Sequence, residues 1–398
     1  MNFGKLKRTI RRRWSKVRES RRALIIALVV GFLSSYLAAP MSIPYSNALG
    51  AYLEPLVIDL WFIVRGRETP PQNIVIISID EESYKKLGAS TLAPWPRILT
   101  AKLLEKLAEA KPKKILLDVV YGEQTDPAID QRLAEAMTLS PTHIAYATRY
   151  SDRTALDGTV EDVELKLEPH ALFKKSAAGL FFANITNPGI VRTFPQNVGT
   201  PYIIPMAKFL YGDDAQNHPH PTIDDYVNYY GPPGSVISIP FYKVLDEESP
   251  VPTEVFKDKY IFLGQQLFIS YAARQTDTFM TPYHRYSAGV EIHATMAGNL
   301  LNQNWIRGFG AQGYLIVQLL ISAGLAYLII LLKPTSGGIL LGVAMTSWVV
   351  LSYTAFRYQY LIPGVVPIFI VMPLFYAFTC VRHYYRMRQL ETAMGLKK

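Results

Sequence analysis

Hydrophobic and polar positions change period repeatedly along the middle of this chain. A β-branched run, Ile74 to Ile79, stops at three carboxylates, Asp80, Glu81 and Glu82. Beyond it Leu99, Leu103, Leu107 and Ala110 recur at helical spacing, and a second apolar run, Ile115 to Tyr121, carries Asp118. This order predicts a strand, helix, strand unit with parallel strands, whose ends reach one edge of the sheet. Ligand sites of open α/β sheets lie on that edge, which makes Asp80 and Asp118 the first candidates.

The alternation continues downstream. Pro127 to Met137, Pro201 to Tyr211 and Gly289 to Asn302 read as helices. Ile144 to Thr148, Leu180 to Ile185, Tyr226 to Tyr230 and Tyr260 to Leu263 read as strands. Ser151 to Lys175 is polar with an Asp157-Gly158 turn signal, which predicts a projecting hairpin. Gly231-Pro232-Pro233-Gly234 reads as a strand-ending turn. The fold class is α/β with a mixed sheet.

Four longer apolar stretches flank this region and match the length needed to cross a bilayer. They divide the chain into a basic N-terminus (1–22), a first membrane helix (23–39), a juxtamembrane helix and linker (40–72), an outer domain (73–313), three more membrane helices (314–332, 338–356, 361–381) and a tail (382–398). The first helix lacks small residues at the positions a signal peptidase needs, so it reads as an uncleaved anchor. Gly338 and Gly342, one turn apart, predict close backbone contact with another helix. Pro363, Pro367 and Pro373 predict kinks in the last one. No charged residue falls at mid-membrane depth, which argues against a transporter or channel.

Charge refines the topology. The formal net charge is +9, yet residues 40–313 hold 24 basic and 30 acidic residues, a balance of −6. The positive excess belongs to the membrane flanks: the first 22 residues carry ten Lys and Arg against Glu19 alone. Basic flanks collect on the cytoplasmic side, so both termini are expected there and the outer domain outside the cell membrane. The high pI therefore reports topology and not nucleic-acid binding. Cys380 is the one cysteine and lies in the last apolar stretch, so the outer domain must hold together without disulfides.

Several ordered blocks resemble the second type of CHASE domain, the extracellular sensory domain of bacterial adenylate cyclases, histidine kinases and Ser/Thr kinases. They are Asp59-Leu60-Trp61-Phe62, Ile77-Ser78-Ile79-Asp80, Pro94-Trp95-Pro96-Arg97, Leu117-Asp118-Val119-Val120-Tyr121, Asn228 to Gly234, Asp277 ahead of Thr281-Pro282, and Gly289-Val290-Glu291-Ile292-His293-Ala294. The resemblance covers roughly residues 53 to 307. It implies a bacterial inner-membrane receptor that senses an extracytoplasmic ligand, works as a homodimer in the bilayer and drives a cytoplasmic effector, most like a class III adenylate cyclase making cyclic AMP. A kinase effector and a membrane-anchored metal-dependent hydrolase stand as alternatives. Only 17 residues follow Val381, too few for a cyclase or kinase domain, so the effector is expected in a longer polypeptide or a partner. Met387, Leu390 and Met394 have the spacing of a signalling coiled coil.

Candidate chemistry sits on the quoted blocks. Asp80, Asp118, Glu123 and Asp126 supply hard oxygen atoms suited to Ca²⁺ or Mg²⁺. Asp80 is equally suited to capping the helix that follows it. Arg97 is a candidate anion contact or a salt-bridge partner of a nearby acid, and Glu291 and His293, at a helix start, are candidate ligand contacts or satisfied structural residues.

Overall fold

The computed structural model describes residues 3–38, 49–154, 160–185, 189–195, 204–267, 277–283 and 285–394. In chain order the elements are helices α1 (Phe3–Leu37) and α2 (Leu49–Arg65), strand β1 (Ile74–Ile79), α3 (Glu81–Lys86), α4 (Arg97–Ala110), β2 (Lys114–Leu117), α5 (Pro127–Thr138), β3 (Thr142–Thr154) and β4 (Val160–Leu167). They continue with α6 (Ala171–Ser176), β5 (Gly179–Phe182), α7 (Pro205–Tyr211), β6 (Ser238–Pro240), α8 (Phe241–Leu245), β7 (Tyr260–Gln265), β8 (Thr278–Met280), β9 (Tyr286–Ala288) and α9 (Gly289–Asn302). Three long helices close the chain: α10 (Ala311–Leu331), α11 (Pro334–Arg357) and α12 (Met372–Ala393). Two compact units result, Phe62–Ile306 and the combination of Met1–Trp61 with Arg307–Lys398.

The first unit is built on a mostly parallel sheet. Its core order is β5-β3-β2-β7-β1-β6, every pairing parallel. Within this sheet the hairpin of β3 with β4 is antiparallel, with register Ala147 to Leu167 through Thr154 to Val160, and β8 and β9 form a separate antiparallel pair. The Asp157-Gly158 turn of the hairpin lies outside the described residues. β7 enters between β1 and β2, so the predicted parallel pair shares a neighbour instead of an edge.

Both faces of this sheet are covered, which explains runs that are apolar at almost every position. Val75, Ile77, Ile79, Ile115, Leu117, Ile261 and Leu263 join one core with Leu103, Leu104 and Leu107 of α4 and Leu133 and Met137 of α5. On the other face Phe262 packs edge-on to Phe209 of α7, which also meets Phe181 of β5. α9 lies against β7 and β1, and Gly289 through Leu300 are all buried. Burying one large aliphatic side chain contributes about 1.5–3 kcal/mol, so no disulfide is needed.

Tyr226 to Tyr230 corrects the sequence reading. It is extended, with a single bridge each to Thr193 and Ile306, but joins no sheet. Its main chain is instead tied to neighbouring segments: Tyr226 exchanges hydrogen bonds with Ile306, and Asn228 N–H donates to Asn299 Oδ1 at 2.8 Å. Apolar character alone marked it as a strand; its partners are side chains and one-residue bridges, which leave no periodic signal. The short β6, β8 and β9 were not predicted, and β2 ends at Leu117, leaving Asp118 one residue beyond it.

Among the described residues of the second unit, four helices are long and apolar enough to cross a membrane: Ser20–Leu37, Gln312–Leu331, Pro334–Arg357 and Pro367–Ala393. α1 and α10 pack closely, because a Cβ at Gly31 would stand 2.9 Å from Ala323 Cβ. Ser322 Oγ donates to Ser34 Oγ at 2.9 Å across the same seam. The predicted glycine pair behaves differently. Gly338 faces the Tyr376 ring, while nothing lies within 4 Å of a Cβ at Gly342, so this pair does not bring two backbones together within the chain. The proline-rich segment contains a π-helical turn, Pro367–Val371, and Gly364 and Val365 donate their N–H groups to Glu54 Oε1 at 3.0 and 2.9 Å.

Candidate functional site

At the C-terminal edge of the sheet three titratable groups meet: Asp118, Asp277 and His293. Asp118 continues the β2 ladder by one bond, its N–H donating to Leu263 O at 2.8 Å. The residue is half-buried, but protein atoms enclose its carboxyl group, and Oδ2 is buried with no hydrogen-bond partner among the described residues. Gly264 of β7 makes the room: a Cβ there would fall 2.6 Å from Val290 Cβ and 3.2 Å from Asp118 Cβ. A side chain at that position would push α9 off the sheet, so glycine sets how close His293 comes to the strand ends.

His293 is fixed by its surroundings. Nε2 lies 3.3 Å from Ala183 O, and because a carbonyl only accepts, Nε2 carries the proton. The other ring nitrogen, Nδ1, is then a bare acceptor, buried and without a partner. Phe181 stands edge-on to the imidazole at 4.9 Å. Asp277 enters from the segment before β8. Its carbonyl accepts from Gly289 N–H at 2.9 Å, and a Cβ on Gly289 would lie 2.3 Å from its Oδ2. The carboxylate thus rests over the first turn of α9, where the helix dipole favours negative charge.

Electrostatics set these groups apart from ordinary surface acids. Burial pushes Asp118 up to about 7. Asp277 is exposed as a residue, but protein atoms crowd its carboxyl group. That desolvation, followed by the charge of Asp118, pushes it up to about 6, while His293 opposes the rise. Burial holds His293 down at about 4, against the pull of Asp277. A solvent-reaching acid, Asp277, therefore stands in electrostatic contact with a buried acid on one side and a neutral histidine on the other. Such an arrangement takes up or releases protons within the ordinary pH range, and its two unpartnered atoms are an acceptor nitrogen and a carboxyl oxygen.

The other sequence candidates have local partners. Asp80 caps α3, its Oδ1 accepting from Ser83 N–H at 2.8 Å and Ser83 Oγ at 2.6 Å. Asp126 caps α5 through Ala128 and Ile129 N–H at 2.8 and 3.1 Å. Arg97 pairs with buried Asp130 at 2.6 Å, donates to Glu123 O at 2.7 Å, and lies over the rings of Tyr121 and Phe173. Glu291 accepts from Gly234 N–H at 2.8 Å, Ser235 N–H at 3.0 Å and Ser287 Oγ at 3.1 Å, clamping a turn in which Gly234 has φ +80°. Asp80, Asp118, Glu123 and Asp126 are not drawn together: among the described residues no three His, Cys, Asp or Glu side chains form a metal-binding group.

Asp277 belonged to a quoted sequence block, yet it was not selected as a site residue. Nothing in its local spacing connects it with Asp118, 159 positions earlier in the chain; the connection is made by Gly264 and Gly289, which let α9 and the preceding segment close on the sheet edge.

The family model for the CHASE2 domain matches residues 25–330. The match is longer than the stretch carried by the quoted motifs, reaching into α1 at one end and almost to the end of α10 at the other. No curated protein and no solved structure matches the chain significantly. With well over half of its length inside this match, the chain belongs to the CHASE2 family of sensory domains.

Proposed function

We propose that this chain is the sensory and membrane part of a receptor that answers an extracytoplasmic cue by regulating a class III adenylate cyclase. The observation that carries this reading is the CHASE2 match, which runs from one apolar helix into the next across the whole α/β unit. In this topology one helix crosses before the sensory unit and three cross after it, with both basic termini in the cytoplasm. Asp118, Asp277 and His293 are the groups whose state changes with the cue. The change passes through α2 and α10, the helices through which the chain leaves the sensory unit for the rest of the molecule. Met387, Leu390 and Met394 are exposed on the last helix at heptad-like spacing, which supports pairing with a second copy ahead of the effector.

The test is expression in cells lacking their own cyclase, with the native downstream sequence or a partner cyclase supplied, and measurement of cyclic AMP. Asp118→Asn is expected to change the cyclic AMP level and its dependence on external pH. Unchanged cyclic AMP with every downstream sequence and partner supplied refutes the cyclase output, and phosphotransfer in the same cells would assign a kinase instead.

A further inference from the structure

A pocket of about 320 Å³ opens beside the end of the ladder that pairs β3 with β5, lined by Tyr146, Glu168, Leu180, Phe182, Pro205 and Lys208. It lies on the C-terminal edge of the parallel sheet, the edge at which such sheets bind ligands. Tyr146 and Phe182 are the last paired residues of the β3-β5 ladder and form its aromatic wall, rings 5.3 Å apart and inclined by 45°. The ladder end is locked: Ala183 N–H donates to Tyr146 O at 2.9 Å, and Asn184 exchanges bonds with the N–H and C=O of Thr148. The wall is therefore preformed.

Two opposite charges complete the lining. Glu168 pairs with Lys174 at 3.1 Å, but both side chains are half exposed, so water competes for that pair. Its charge also helps push the Tyr146 phenol up, after burial, which places it within electrostatic reach of the aromatic wall. Lys208, on α7 between buried Ala207 and Phe209, has no ion-pair or hydrogen-bond partner for its ammonium among the described residues. The volume is at the low end of the range of roughly 300–1,000 Å³ for ligand pockets, which suits one small ring system.

We infer that this pocket binds a small zwitterion of the α-amino-acid class with an apolar or aromatic side chain, its ammonium at Glu168, its carboxylate at Lys208 and its side chain against Tyr146 and Phe182. The inference rests on the sensory reading of the α/β unit and gives it a ligand class. It also gives that ligand a route to the buried cluster. Phe182 is followed by Ala183, whose carbonyl holds His293 Nε2, and preceded by Phe181, which packs on the same imidazole. Occupancy that shifts the end of β5 moves the two groups that fix the His293 ring.

The experiment is isothermal titration calorimetry of the full chain in lipid nanodiscs with free L-phenylalanine, phenethylamine and 3-phenylpropionate. Phenylalanine is expected to bind saturably. Glu168→Gln, at an exposed position, should weaken phenylalanine and phenethylamine on the order of tenfold and leave 3-phenylpropionate unchanged. Lys208→Gln should weaken phenylalanine and 3-phenylpropionate and leave phenethylamine unchanged. Absence of saturable heat with phenylalanine, or a loss of phenylalanine affinity in fewer than both variants, overturns the inference. Because calorimetry needs no effector, failure here removes the ligand class and leaves the receptor reading to its own cyclic AMP test.

Discussion

Replacing Asp118 by Asn tests whether the carboxyl at the sheet edge is held as a costly buried charge. Its folded-state value is about 7 against an ordinary 3.8, and burial is the cause. A raised acid contributes stability that is complete below its unfolded value and is lost as the pH rises through its folded one. Every tenfold change in proton affinity corresponds to about 1.4 kcal/mol, so full ionisation above pH 8 costs the folded state up to about 4 kcal/mol. The ceiling is not reached if ionisation draws in water and relaxes the site. Asn keeps the size and stays neutral, so the variant is expected to be more stable than the parent at pH 8 and close to it near pH 4. Between pH 6 and 8 ionisation favours the unfolded chain by roughly a hundredfold and the folded one by only about tenfold. The advantage of the variant should therefore grow by about 1.4 kcal/mol over that interval. His293 runs the other way: its neutral form contributes stability above about 6.5 that is lost as the pH falls through about 4. Comparing Asp118→Asn with the parent at each pH cancels that contribution, whereas Asp277 is relieved of the Asp118 charge in the variant, which adds to the variant's advantage as the pH rises. The assay is denaturant unfolding of the full chain in detergent micelles at pH 5, 6, 7 and 8, followed by amide hydrogen exchange in β2 and α9. A variant advantage that does not change with pH, or an Asn variant less stable than the parent at pH 8, refutes the buried-charge argument.

Two further substitutions probe how the cluster is built. Gly264→Ala sets a methyl group 2.6 Å from Val290 Cβ and should destabilise the unit by about 1–3 kcal/mol, read by thermal unfolding; the opposite result would mean that α9 moves freely against β7. Glu291→Gln removes the charge from a carboxylate that accepts from Gly234, Ser235 and Ser287, and should cost about 2 kcal/mol, with faster exchange of the Gly234 and Ser235 amides.

The sheet was legible because burial on both faces leaves β1 and β7 apolar except at Ser78 and Gln265, and because α4, α5 and α9 show a helical stripe or begin at a turn. Strand order was not legible, since β7 is inserted between β1 and β2 by a segment more than 140 residues downstream of β2. Period-based reading also misplaced Tyr226 to Tyr230, where the backbone is satisfied by Asn299 and isolated bridges in place of a ladder. In the candidate site, strand-end position identified Asp118 and helix-start position identified His293. Asp277 needed the tertiary closure that Gly264 and Gly289 permit.

The same contrast separates the acids that stabilise the fold from those that do not. Asp80, Asp126 and Glu291 accept hydrogen bonds from N–H groups that would otherwise be left over at helix starts or in a turn, so each of these carboxylates lowers the free energy of its own neighbourhood. Asp118 does the reverse. Its Oδ2 is buried without a donor among the described residues, and Asp277, which feels its charge, stands also within reach of a histidine whose Nδ1 is likewise without one. A hydrophobic residue of similar size would remove that cost, so stability alone gives no reason for a carboxyl at this position. Local rules are broken in this way where the group has work besides folding. The break lies on the sheet edge that the parallel topology assigns to ligands, the edge that also carries the preformed aromatic pocket, and it faces the start of the thoroughly buried α9.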